Sequence, residues 1–160
     1  MDRRRIVRAS VLTLVLMLLS AGLAAATPGA GVSATPLVRG TLEAGVKVHT
    51  SALKFSTKED VDVATHTITV APGGHTGWHS HPGPVFVTIV AGTMTFYDAD
   101  DPTCSPILYE TGDSFIDRGG GHVHIARNEG TTDLVLSATY LVPVGAAVRT
   151  DAANPGTCPF

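Results

Sequence analysis

The sequence predicts an all-β fold, a sandwich or closed barrel of short strands. Three observations carry this. Beyond residue 26 no long segment keeps a helical apolar period. Short β-rich runs recur instead at Val46–His49, Ala64–Val70, Val85–Val90, Thr93–Tyr97, Ser114–Ile116, His122–Arg127 and Leu134–Leu141. Between them stand turn formers: Pro72-Gly73-Gly74, Pro82-Gly83-Pro84, Ala91-Gly92, Asp98 to Pro106, Gly119-Gly120-Gly121 and Asn128-Glu129-Gly130. Sheets of this kind avoid exposed edges by closing on themselves or by double layering.

The N-terminus reads as a secretory signal. Arg3, Arg4, Arg5 and Arg8 precede an uncharged, leucine-rich run from Ala9 to Leu19, and small residues follow through Ala24, Ala25 and Ala26. Cleavage is expected after Ala26, with Ala34 as the alternative. The apolar run is short for a bilayer span, so no stable membrane span is expected after cleavage. The chain then divides into a signal peptide (1–26), a flexible lead-in (27–35) of mostly Pro, Gly, Ala, Ser and Thr, and one β-barrel domain (36–160). The expected location is outside the cytoplasm, secreted or in the cell envelope.

Charge and cysteines agree with this picture. The whole chain carries a formal charge of −3, and losing four arginines and one aspartate with the signal leaves −6. A mildly acidic domain without a basic stripe is not built for nucleic acid. Cys104 and Cys158, an even pair in an exported chain, are expected to form one disulfide tying the C-terminal tail to a loop.

The chemistry-bearing residues are histidines. Four of the seven fall into two His-x-His pairs, His79-Ser80-His81 and His122-Val123-His124. Residues i and i+2 of a strand face the same way, so each pair can aim two imidazoles at one point. Neutral imidazole is a common ligand for iron, zinc, copper and nickel, whereas calcium and magnesium favour oxygen; sequence does not choose among iron, manganese, zinc, copper and nickel. His49 and His66 stand alone in strand context and are read as structural, and His75 as a solvated residue of a glycine-rich loop.

The stretch from Gly73 to Gly92 resembles the first motif of the cupin superfamily, with Gly73, the pair His79-Ser80-His81 and Gly92 at the family spacings. The stretch Gly112 to Asn128 resembles the second, closing on Gly121, His124 and Asn128. The resemblance implies a cupin-type double-stranded β-helix, or jelly-roll barrel, with His79, His81 and His124 as ligands of a divalent transition metal, and a small-molecule ligand as partner. Cupins commonly pair through sheet edges, so it also implies a homodimer.

Two departures stand out. The family's glutamate ligand falls on Val85, which cannot bind metal, and Arg118 with three glycines replaces the usual proline of the second motif, with one extra residue of spacing. No nearby acid fills the gap, since the next carboxylates, Asp98 and Glu110, lie beyond the motif. Three outcomes stay open: a three-histidine face with exchangeable positions, as in thiol dioxygenases and some diketone-cleaving cupins; recruitment of His122 as a fourth nitrogen or as a hydrogen-bond partner behind the ligands; or a pocket that binds ligands without metal. Val85, Val87 and Ile89 share one apolar face and suit a dry pocket wall or a barrel core. Trp78, by strand alternation, should point away from the metal. The functions in view are a metal-dependent dioxygenase of a small chelating substrate and a non-catalytic binding module.

Overall fold

The computed structural model describes residues 25–160, and among them there is no helix. Nearly all of the expected signal peptide lies outside the described residues. Twelve strands follow in order: β1 (Ala30–Leu42), β2 (Lys47–His49), β3 (Lys54–Ser56), β4 (Val61–His75), β5 (His79–Ser80), β6 (Val85–Ala91), β7 (Thr93–Asp98), β8 (Ile107–Glu110), β9 (Ser114–Asp117), β10 (His124–Arg127), β11 (Leu134–Pro143) and β12 (Thr150–Asp151). No helix among the described residues is long and apolar enough to cross a membrane.

The main sheet folds into two antiparallel layers. One runs β1-β4-β11-β6-β9, and the other runs β8-β7-β10-β5-β12. The long strand β4 joins them, lying between β1 and β11 over most of its length and reaching β10 at its last residue, where His75 pairs with Arg127. The outcome is a nearly closed antiparallel barrel. Strands β2 and β3 form a separate hairpin.

Period-two alternation builds the interior. On β6, Val85, Val87 and Ile89 point inward while Phe86, Thr88 and Val90 face out. On β11, Leu134, Leu136, Ala138, Tyr140 and Val142 point inward. Met94 and Phe96 meet them from the opposite layer. Burying each large side chain in such a core contributes about 1.5–3 kcal/mol. A smaller cluster of Trp78, Tyr97, Ile125 and Cys158 lies apart from this core, and Trp78 is directed into it.

Two expectations about local structure are corrected. Residues 30–35, expected as a flexible lead-in, belong to β1 and pair with β4, Ala30 with His75 and, after a register shift, Val32 with Val70 onward. Their composition hides this because β1 is an edge strand, mostly exposed, with Pro36 accommodated at a register shift between Pro36 and Val38. His122, expected within a strand, precedes β10, since the triple-glycine turn continues to Gly121 and pairing starts at His124. The short strands β3, β5, β8 and β12 carry too little pattern to be read from sequence.

Candidate metal centre

His79 lies on β5, His81 just beyond it, and His124 opens β10, where it is the direct cross-strand partner of His79. The three are buried. Their ring centroids are 4.9 Å (His79 to His81), 4.3 Å (His79 to His124) and 5.2 Å (His81 to His124) apart. One nitrogen from each lies within 4.8 Å of the others.

Backbone carbonyls fix two of the rings. His79 Nδ1 is 2.8 Å from the Gly77 carbonyl oxygen, and His81 Nδ1 is 2.6 Å from that of Val148. Nδ1–H therefore donates in both, which leaves each Nε2 with a free lone pair. Gly77 must be glycine: its φ is +72°, and a Cβ there would strike the Thr27 carbonyl and the Pro28 backbone.

Burial keeps the rings neutral. His79 is held well below its ordinary pKa by burial first and by neighbouring His124 second. His81 is lowered by burial, opposed by the Val148 carbonyl and Asp117. His124 is pushed down to about 4 by burial, with Asp117 opposing. Three neutral imidazoles converging on one point, two with their second nitrogens tied to carbonyls, fit a divalent transition ion.

The remaining sequence-predicted residues fall elsewhere. His122 is not on the three-histidine face; its Nε2 is 2.8 Å from Asp98 Oδ2, and its Nδ1 is 3.5 Å from Asp117 Oδ2. His75 ends β4 half-buried and accepts the Gly77 N–H at 3.1 Å, so it is not a solvated turn residue. Asn128 is structural: its Nδ2 donates to the carbonyls of Val70 and Thr132, and its Oδ1 accepts the Gly130 N–H. Val85 and Val87 line the cavity, whereas Ile89 belongs to the core. Cys104 and Cys158 are disulfide-bonded, with Cα atoms 5.2 Å apart.

The expectation that no acid lies near the gap is overturned by Asp117. It is buried, lines the cavity, and its Oδ2 stands 3.2 Å from His124 Nδ1. Sequence held one signal, because Phe115 and Asp117 alternate onto the same inward face of β9. Tyr140 also lines the cavity, 5.3 Å ring to ring from His81, and burial pushes its hydroxyl up to about 12.

The inner cavity is about 50 Å³. That holds an ion with a few waters and is below the ~300–1,000 Å³ of small-molecule sites. A second pocket of about 360 Å³ adjoins it, sharing Ile68, Thr76, His79, His81 and Tyr140 and adding Arg149, Asp151, His66 and the segment Pro28-Gly29. His66, read as structural, thus stands at this outer pocket, its ring 5.2 Å from Tyr140.

The family model described as Cupin domain matches residues 66–142, which contain both histidine pairs. The chain belongs to the cupin superfamily. Cupin folds recur among similar solved structures. A double-stranded β-helix protein from Klebsiella pneumoniae is 21% identical, with 56% of this chain and 74% of that one aligned at a TM-score of 0.47. A cupin-like protein from Thermotoga maritima is 20% identical over 57% and 65% of the two chains, at 0.49. Oxalate decarboxylase from Bacillus subtilis is 21% identical at 0.48, over 56% of this cupin but only 23% of the enzyme. A search of curated proteins finds no match.

Proposed function

We propose that this cupin works outside the cytoplasm, holding one divalent transition-metal ion through Nε2 of His79, His81 and His124 and presenting it to a small chelating organic molecule. The convergence of three buried, neutral imidazoles carries the reading. Bound there, such an ion supplies Lewis acidity and, where it is redox-active, chemistry with dioxygen. Iron, zinc, copper and nickel suit the imidazole donor set, and manganese stays among the candidates.

The protein's own groups prepare the site. Gly77 and Val148 hold the ring orientations. Val85, Val87 and Phe96 wall the cavity with apolar surface. The outer pocket, of a size for a small molecule, gives the ligand access along His79 and His81. Together these support a dioxygenase acting on a small chelating substrate.

Ligand binding without turnover is the second reading, and Tyr140 favours it. Its hydroxyl stays protonated to about pH 12, so it is a hydrogen-bond donor to a ligand rather than a base. Oxygen consumption by metal-loaded protein, over thiols, diketones and flavonol-like compounds, separates the two. Turnover abolished by His79→Ala supports the dioxygenase; metal-loaded protein that consumes no oxygen with any of them leaves the binding module.

A further inference from the structure

Asp117 is a buried carboxylate, 4% exposed, and no arginine or lysine pairs with it among the described residues. The neighbouring Arg118 is turned away to Asp100, at 2.8 Å. Asp117 Oδ1 accepts the Gly119 N–H at 2.7 Å, and Oδ2 is hydrogen-bonded to His122 Nδ1 at 3.5 Å and stands 3.2 Å from His124 Nδ1 without an aligned bond to it. A buried carboxylate is costly unless an opposite charge lies close. A second observation points the same way: buried His124 Nδ1 has no aligned hydrogen bond despite its closeness to Oδ2.

Strand register explains how the acid arrives. Val85 pairs with Asp117 across β6 and β9, and with Tyr140 across β6 and β11. The three stand on one rung, all lining the cavity. Asp117 therefore enters from the strand next to the valine, one inter-strand spacing of about 4.8 Å away. It sits behind His124 rather than within the three-histidine group.

Resting on the three-histidine reading, we propose that Asp117 is the acid of this metal centre. It supplies, from the adjacent strand, the negative charge that Val85 does not, and it acts as a positioning residue through His124. Its Oδ2 accepts Nδ1–H, turns Nε2 toward the ion and makes that nitrogen a stronger donor. The dication, felt through the imidazole, is the opposite charge that the carboxylate otherwise lacks. Metal loading brings the His124 N–H into line with Oδ2.

The test is zinc affinity of the full chain by chelator competition, for the wild type, Asp117→Asn, Val85→Glu and the double variant. Asp117→Asn is expected to weaken zinc binding about 10–100-fold, with no fall in the melting temperature of the metal-free protein. Val85→Glu in the Asp117→Asn background should recover most of that loss. Unchanged affinity in Asp117→Asn, or a loss that Val85→Glu does not recover, overturns the proposal. Zinc-loaded wild type gives a readout that needs no variant to fold: ring 15N–1H spectra should show His124 Nδ1 protonated and hydrogen-bonded, and a bare Nδ1 overturns the assignment. Failure of the wild type to bind zinc or any other transition metal would instead remove the three-histidine reading itself.

Discussion

His124 shows the energetic consequence of the site's burial. Its pKa falls from 6.5 free to about 4 folded, and those of His79 and His81 fall in the same direction. The folded metal-free protein thus binds fewer protons than the unfolded chain. This stabilisation is fully present above pH 6.5 and is lost as pH falls from 6.5 toward 4, with His124 alone accounting for about 3 kcal/mol. Urea unfolding of metal-free protein at pH 7.5 and at pH 4.5 should show a clearly lower midpoint at the acid value; equal midpoints would mean the rings are not buried neutral. That His79 and His81 come together was legible in the sequence because i, i+2 spacing needs only local geometry; His124 joined them through the motif resemblance, since its pair mate His122 stands off the three-histidine face. Asp117 and Tyr140 were not legible, because their place beside Val85 depends on a register set between strands distant in the chain.

Element geometry decides whether these groups meet. The turn after β9 holds Asp117 through the Gly119 N–H, and Gly119 has a φ of +63° with the Gly83 backbone against it. A Cβ at this position would strike Gly83, so Gly119→Ala should weaken metal binding as well as fold stability, measured by chelator competition and thermal melting. An unaltered affinity would show that the turn does not position the acid. Leu134, fully buried at the start of β11, tests the core: Leu134→Ala should cost about 3 kcal/mol in urea unfolding. Strands such as β6 and β11 were readable because they alternate against a core. Strand β1 was not, because an exposed edge carrying Ala, Gly, Ser, Thr and Pro needs little apolar pattern to pair.

Across the whole molecule, the C-terminal segment closes over the cluster around Trp78. Phe160 lies 5.0 Å from the Tyr97 ring, with the Arg127 guanidinium 4.1 Å from its ring centre, and the disulfide ties Cys158 to Cys104 across 54 residues. Closing a loop of that length stabilises the fold by about 4 kcal/mol through the unfolded chain. Replacing both cysteines by serine should lower the melting temperature by roughly 10 °C, and an unchanged value would place the stability elsewhere. Fold class and the disulfide were readable from sequence because both follow from composition and spacing. The two-layer order was not, because β4 crosses between layers through pairings that no local pattern records. Anomalous diffraction from crystals of metal-loaded protein locates the ion of the three-histidine centre. One peak per chain is predicted, about 2.0–2.2 Å from Nε2 of His79, His81 and His124. A peak at Asp98, Asp100 and His122 instead, or no peak at the three histidines, would contradict it.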